Sequence, residues 1–170
     1  HVYLYDEVGF HDVVSLASLP GGRNWYGVDV DDFNDNDDLL LTGADQPTPG
    51  GPVGASLLLR AGGTITELFH TGAHSLEGDL IDTFQGAVFN DQREIVFSKS
   101  LSSVYRLSGG VMRRVVRPGD PAPGGGTIDY VVQHAIDQAG NLVLAANFGD
   151  ELANEGFAGQ LIRVDDSGMG

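Results

Sequence analysis

An internal repeat organises this sequence. Residues 69–97 align without a gap with residues 116–144, at an offset of 47 residues. An earlier copy, around 33–41, lies 56 residues before 89–97, which is nine residues more than the offset of 47, and the Pro- and Gly-rich stretch 46–52 marks the inserted loop. A period of this length is typical of chains built from similar units that stack on one another. The fold is therefore expected to follow from one repeated unit.

Each unit has the pattern of four short strands. In the last unit, 130–136 and 142–147 are apolar runs separated by Gly, Asn and Asp residues, and in the preceding unit 104–107 and 111–116 continue the series. Short runs rich in β-branched residues and bounded by turn formers predict antiparallel strands joined by tight turns. No segment has a sustained 3.6-residue period, so we expect no long helix.

Four strands in each unit of about 40–50 residues predict the blades of a β-propeller. We expect an all-β, β-propeller-like fold with about three four-stranded blades plus a remainder, so that the ring is incomplete in this chain. A β-sandwich is the main alternative. The predicted organisation is a single repeat domain over 1–170: a partial blade (1–22), two blades (23–78 and 79–125) and a second partial blade (126–170).

Composition limits the partners. The chain has 24 acidic and nine basic residues, a formal charge of −15 and no cysteine. Without cysteine there is no disulfide framework, thiolate metal site or cysteine nucleophile. The negative charge argues against nucleic acid and anionic membrane surfaces, which select basic residues. No apolar run approaches the roughly 20 residues of a membrane helix, so no membrane insertion is expected.

One linker carries a family resemblance. Residues 116–127 read Val-Arg-Pro-Gly-Asp-Pro-Ala-Pro-Gly-Gly-Gly-Thr, and the hairpin and apolar strand 136–144 follow. This combination resembles bacterial secreted tandem-repeat proteins of β-propeller type, in which Gly-Asp-x-x-Pro-Gly-Gly loops precede an Asn-x-x-Gly hairpin. The resemblance covers nearly the whole chain and is best in this linker. It implies a propeller fold and an extracellular or cell-surface location, and it implies no activity.

The first metal candidate is the segment 29–38, which contains six aspartates and two asparagines. Such hard oxygen ligands suit calcium, and the segment also resembles, more weakly, the calcium loops of integrin-type propeller repeats. The best candidate calcium ligands are Asp32, Asn34, Asn36 and Asp38. The alternative is an ordinary turn between strands one and two, because the segment aligns with turns that do not keep the carboxylates.

Two further groups are weaker candidates. His70 and His74 have a spacing that could serve zinc, but they fall in a predicted loop, where exposed histidines are the alternative. Trp25 and Tyr26 could stack on a sugar ring, with Arg23 beside them to pair with a carboxylate, and a core or linker role is the alternative.

No nucleophile elbow, phosphate loop or dinucleotide fingerprint occurs, so we expect no enzyme activity. The longest predicted loops emerge on one face of the blades and would form an acidic binding surface. We expect a non-enzymatic extracellular repeat module with a binding or structural role. Its partners would be other copies of itself, through open blade edges, or a carbohydrate or cell-surface partner. Two alternatives remain: a subunit of an extracellular polymer assembled by edge-strand completion, and a fragment of a propeller enzyme acting on polysaccharide.

Overall fold

The computed structural model describes residues 1–100, 102–123, 125–149, 159–165 and 168–169. Within this part of the chain, all regular elements are β-strands except one 3₁₀ turn, Leu16–Ser18, and no helix is long and apolar enough to cross a lipid bilayer. The chain divides into two compact units, His1–Ala73 and His74–Gly170. The predicted all-β fold class is confirmed.

The first unit contains a hairpin and one four-stranded sheet. Strands β1 (Val2–Asp6) and β2 (Gly9–Val14) form the antiparallel hairpin. In the sheet, each strand is hydrogen-bonded to its neighbours in the sequence, which makes an antiparallel meander. Its strands are β3 (Trp25–Phe33), β4 (Leu39–Asp45), β5 (Gly54–Ala61) and β6 (Thr64–His70).

Two more four-stranded meanders follow, after a two-stranded sheet of β7 (Ala73–His74) and β8 (Leu80–Ile81). The strands of the second sheet are β9 (Gln85–Phe89), β10 (Ile95–Lys99), β11 (Ser103–Ser108) and β12 (Val111–Val116). The strands of the last sheet are β13 (Thr127–Ile136), β14 (Leu142–Gly149), β15 (Gly159–Asp165) and β16 (Gly168–Met169).

This arrangement matches the prediction of about three blades plus a remainder. The described strands form three four-stranded sheets, one within each of the predicted segments 23–78, 79–125 and 126–170, and the hairpin lies within 1–22. The last sheet differs in one detail, because a two-residue fourth strand, β16, pairs with β15 where the sequence predicts only three strands. That all the blades form a single domain stays a prediction.

The turn between the first two strands has the same backbone hydrogen bonds in all three sheets. In the first sheet, the N–H of Asn34 donates to the carbonyl of Asp38 at 3.3 Å, and the N–H of Asp37 donates to the carbonyl of Asn34 at 3.2 Å. The same two bonds recur in the turns 90–94 and 137–141. The fourth residue of each turn has a left-handed conformation: Asp37 (φ 59°), Arg93 (φ 60°) and Gly140 (φ 83°).

The last two sheets share one aliphatic core. Burial of each large aliphatic side chain contributes about 1.5–3 kcal/mol relative to exposure. The second sheet supplies Val96, Val104 and Val116. The last sheet supplies Ile128, Val131, Leu142, Leu144, Ala146 and Ile162. One face of each sheet therefore covers the other.

Equivalent turns of these two sheets are also in contact. The side-chain amide of Asn90 donates to the carbonyl of Asp137 at 3.2 Å, and the N–H of Asp91 donates to the side chain of Gln138 at 2.8 Å. Both pairs are 47 residues apart, which is the repeat offset. Contact between equivalent positions means that the two sheets stack in the same orientation, as propeller blades do.

In the first unit, the hairpin covers one face of the sheet. Val14 and Leu19 form a buried cluster with Leu41 and Leu58 of the sheet. On the opposite side of the hairpin, His1 contacts Asp12 at 2.8 Å, and their side chains are 52% and 48% exposed. Tyr3 stacks on the His1 ring and is 57% exposed.

Candidate functional site

The acidic segment forms the end of β3 and the turn into β4. Asn34 is buried, and its Oδ1 accepts hydrogen bonds from the backbone N–H groups of Asn36 and Asp38, both at 3.1 Å. Oδ1 of Asp32 accepts from the N–H of the next residue at 2.9 Å. Asp38 is buried, whereas Asn36 is exposed. Two of the four candidate calcium ligands therefore use a side-chain oxygen to bind the backbone of their own segment.

Calcium requires six to eight oxygens that converge on one point. Over the described ranges, no group of three or more His, Cys, Asp or Glu side chains could hold a metal ion. The equivalent turn in the last sheet has the same cap, because Oδ1 of Asp137 accepts from the N–H groups of Ala139 and Asn141 at 2.9 and 2.8 Å. The structure thus explains Asn34 as a turn cap, and the calcium site at Asp32, Asn34, Asn36 and Asp38 stays a prediction.

Asp31 is the carboxyl of this segment with an unusual pKa. Although its side chain reaches the surface, surrounding atoms desolvate it, and this desolvation raises its pKa to about 6. The hydroxyl of Thr42 donates to Asp31 at 2.7 Å and opposes the shift, while the nearby carboxylates of Asp29 and Asp32 add to it. At neutral pH the ionised carboxylate of Asp31 is therefore repelled by those of Asp29 and Asp32.

Both ring nitrogens of His70 are engaged. Nε2 lies 3.0 Å from Oδ1 of Asp45, and Nδ1 lies 2.6 Å from the carbonyl of Thr71. Both ring nitrogens of His70 therefore face oxygen atoms of the protein itself in this arrangement. The zinc site at His70 and His74 stays a prediction. His74 is exposed on β7.

Arg23 and Trp25 contact each other at one end of the first sheet. The guanidinium of Arg23 donates to Glu67 at 2.8 Å and lies 5.8 Å from the centre of the Trp25 ring. The indole N–H donates to the carbonyl of Pro20 at 3.0 Å, and the ring packs against the hairpin core. These contacts fit a packing role for Trp25, which was the alternative to stacking on a sugar ring. Tyr26 is 53% exposed.

Sequence reasoning missed the residue that joins these groups. Asp45 is 2% exposed at the end of β4, where it binds His70 and lies 3.9 Å from Arg23. A Cβ at Gly54 would lie 2.5 Å from His70 and 2.6 Å from Asp45, so only glycine fits beside this pair. The alternation of residues along β4 could have indicated that Asp45 is buried, since Leu41, Gly43 and Asp45 share one face of the strand.

Carboxylates in the loop region of the second unit are also paired. Asp79 accepts a hydrogen bond from Arg114 at 2.6 Å and another from the Tyr105 hydroxyl at 3.2 Å. Burial and the Asp79 carboxylate together raise the pKa of Tyr105. Glu77 accepts from the backbone N–H of Arg114 at 2.9 Å. These acidic side chains hold loops onto the sheet.

The outer face of the last sheet, which we call the terminal face, differs from the sites above because it exposes aliphatic side chains. In an antiparallel pair, directly opposite side chains point to the same face. The terminal face consists of six residues that are paired across β13, β14 and β15: Gln133, Ala135, Val143, Ala145, Leu161 and Arg163.

Two terminal-face residues are exposed although their equivalents in the second sheet are buried. The strand pairings align β14 and β15 with β10 and β11, which makes Val143 equivalent to Val96 and Leu161 equivalent to Val104. Val96 and Val104 are both 0% exposed and pack against the last sheet, whereas Val143 is 39% and Leu161 78% exposed. The terminal face therefore repeats the residue types of a covered face while it is open to solvent.

A cavity of about 630 Å³ borders this face and is lined by strands β9, β10, β13, β14 and β15. His134 lies in its wall and donates from Nε2 to the carbonyl of Gly86 at 2.5 Å. Burial lowers the pKa of His134. Of the described residues that line the cavity, none carries a carboxylate. The lining of this cavity is therefore largely apolar.

Comparisons with protein-family models, with curated proteins and with solved structures returned no match. The resemblance to secreted repeat proteins accordingly stays a prediction.

Proposed function

We propose that this chain is a non-enzymatic, extracellular repeat module with a structural or binding role, and that it performs this role by packing a further β-blade on its terminal face. The observation that supports the proposal is the exposure of Leu161, at 78%, against 0% for its equivalent Val104. Because Val104 is covered by a blade, a blade is the partner whose shape fits Leu161.

Energetics favour such a partner. Covering Leu161 and Val143 would contribute about 1.5–3 kcal/mol for each side chain at full burial. Stacked-repeat proteins also require a polar outer face on their terminal repeats to remain soluble. The last sheet presents aliphatic side chains at these positions instead, and exposed apolar patches commonly mark interaction sites.

A second candidate is the strand-completion polymer. Among the described strands, β1 pairs only with β2, so its other edge offers unpaired backbone groups. Such an edge accepts a strand from another chain by β-augmentation. This mode uses backbone hydrogen bonds of the first unit and leaves the terminal face untouched, so substitutions on that face separate the two candidates.

The experiment for the blade proposal uses the fact that the chain has no cysteine. A Leu161→Cys variant is prepared in the natural chain and in an extended chain, in which a second copy of residues 114–170 follows Gly170. By the strand alignment, Gly170 is equivalent to Arg113, so the added copy continues β16 in register and supplies one more blade. The measurement is the rate at which a thiol reagent labels the cysteine.

We expect fast labelling in the natural chain and labelling at least about tenfold slower in the extended chain, since uncovering a packed residue costs more than 1.4 kcal/mol. Two controls define the limits. Val104→Cys should label slowly in both chains, and Val53→Cys, at a position 60% exposed, should label fast in both. Equal, fast labelling of Leu161→Cys in both chains would contradict the proposal, and so would an added blade that stays unfolded.

A further inference from the structure

In each of the first two sheets, an ion pair ties the segment before the first strand, which we call the linker, to the fourth strand, which we call the outer strand. In the first sheet, Arg23 of the linker donates to Glu67 of β6 at 2.8 Å. In the second sheet, Asp79 of the linker accepts from Arg114 of β12 at 2.6 Å. The repeat offset of 56 residues makes Arg23 equivalent to Asp79, and the offset of 47 makes Glu67 equivalent to Arg114. The two equivalent ion pairs therefore have opposite polarity.

The strand pairings support this equivalence independently of the sequence alignment. Glu67 pairs with Leu58 of β5, and Arg114 pairs with Tyr105 of β11. In both sheets the register shifts immediately before this pair, so the same irregularity precedes both outer-strand residues. The four charged side chains are between 20% and 30% exposed, so solvent screens their charges only in part. Two otherwise matching contacts thus differ in the direction of the charge.

The linker that carries Asp79 has two candidate outer strands during folding. It follows β6 directly, so Glu67 is closer to Asp79 along the chain than Arg114, which lies 35 residues after it. A shorter loop closes at a smaller entropic cost, so proximity favours docking on β6. The linker also donates a backbone hydrogen bond from Leu76 to the carbonyl of Met112 at 2.8 Å. This bond does not discriminate between strands, because every strand offers carbonyls.

We infer that the reversal of charge directs each linker to its own outer strand during folding. Arg114 attracts Asp79 while Glu67 repels it, and Arg23 would likewise meet a like charge at Arg114. Both correct pairings are opposite in sign, and both exchanged pairings are like in sign. Repeat proteins are prone to wrong assembly between neighbouring units, and like charges in contact suppress wrong pairings. The device is independent of the proposed function, because it acts within the chain before any partner binds.

Refolding kinetics test this inference in a chain whose second sheet has the polarity of the first. Asp79→Arg/Arg114→Asp keeps an opposite-charge pair, but Glu67 now attracts the introduced arginine. After dilution from urea at low salt, we expect a refolding phase about fivefold slower than in the natural chain, since a wrongly docked linker must first detach. Adding Glu67→Gln should restore the faster rate, although it breaks the pair with Arg23 and lowers equilibrium stability. A purely structural role predicts no acceleration, because a destabilising substitution slows folding or leaves it unchanged.

A second set of variants keeps the natural Arg114. Glu67→Arg makes β6 attractive to Asp79 and should slow refolding by a similar factor. Adding Asp79→Asn, which keeps an acceptor for Tyr105, should accelerate refolding although it removes the charge that pairs with Arg114. Both accelerations should disappear in 1 M NaCl, where the Debye length is about 3 Å.

The outcomes are decisive in either set, and the second set decides where the reversed sheet does not fold. Faster refolding when Glu67→Gln or Asp79→Asn is added supports the inference, because each substitution removes an attraction to the wrong strand. A rate that is unchanged or slower overturns it and leaves the pairs as ordinary stabilising contacts. Equilibrium urea unfolding of every variant, followed by circular dichroism, establishes that the native fold is reached and that stability has fallen as expected.

Discussion

Replacement of Asn90 by aspartate tests the two hydrogen bonds that the Asn90 amide donates, one within its own turn and one to the stacked blade. Asn90 is 1% exposed, and its Oδ1 accepts the N–H of Glu94 at 3.0 Å. Its Nδ2 donates to Oε2 of Glu94 at 3.0 Å and to the carbonyl of Asp137 at 3.2 Å. Asn90→Asp keeps the acceptor and removes the donor. The turn itself tolerates aspartate, because Asp137 caps the equivalent turn with its own carboxylate.

The expected loss follows from these distances. Two hydrogen bonds disappear, of which the one to a carboxylate contributes about 1.5–3 kcal/mol and the neutral one about 0.5–1.5 kcal/mol. The new carboxylate also faces Glu94 at about 3 Å, which adds roughly 1 kcal/mol even at the dielectric constant of water. Arg106, 2.6 Å from Glu94, offsets part of this repulsion. We therefore expect Asn90→Asp to lower the free energy of unfolding by about 3–4 kcal/mol at pH 7.

Urea denaturation at pH 7 and pH 4 measures the effect. Although partial burial alone raises the pKa of Glu94, the hydrogen bonds from Asn90 and Arg106 outweigh it and lower that pKa. The introduced carboxyl, beside an ionised Glu94, should have a raised pKa, so its penalty is present at pH 7 and decreases as the pH falls through that pKa. Asp137→Asn, the reverse exchange in the equivalent exposed turn, should cost much less. A loss below about 1 kcal/mol, or one equal at both pH values, would refute this account of the contact.

Two other substitutions address single positions. The folded-state pKa of Asp31 is raised from 3.8 to about 6, so its contribution to stability is full below pH 3.8 and is lost as the pH rises through 6. Asp31→Asn, which keeps an acceptor for Thr42, should stabilise the protein by up to about 1 kcal/mol at pH 8 and leave it unchanged at pH 3.5, as thermal melting would show. A Cβ at Gly140 would lie 2.6 Å from Glu94, and the backbone there has φ +83°, so Gly140→Ala should cost about 2–3 kcal/mol in denaturant unfolding. Gly62→Ala has φ +54° but nothing within 4 Å, and a loss as large as that of Gly140→Ala would show that the contact is unimportant.

The positions of the strands could be predicted, because the sequence repeat and the alternation of apolar residues both mark the faces of the strands that are buried. Segment 111–116 was predicted as a strand and is β12, Val111–Val116, and 142–147 lies within β14, Leu142–Gly149. Apolar residues that recur at one offset mark surfaces buried by identical neighbours, so the repetition carries information about tertiary packing as well as local propensity. The residues at which strands begin and end were less predictable, because the neighbouring strand determines where the ladder of hydrogen bonds stops.

The candidate sites were harder to predict, because their chemistry depends on pairs that are distant in sequence. Asp45 binds His70 from 25 residues away, and Arg23 binds Glu67 from 44 residues away. Composition shows that carboxylates and cations are present, but it does not show which of them meet. For the acidic turn, the count of oxygens suggested calcium, whereas the side chain of Asn34 points its oxygen at backbone N–H groups.

The exposed aliphatic residues of the last sheet stand out when they are compared with the apolar faces of the other two sheets. In the first unit, a hairpin covers Leu41 and Leu58. In the second unit, the last sheet covers Val96 and Val104 of the preceding sheet. The terminal face has the same kind of aliphatic layer, yet Leu161 is 78% exposed on it. Because an aliphatic layer gains free energy when another surface packs against it, we expect a further blade to bind at this face of the described structure.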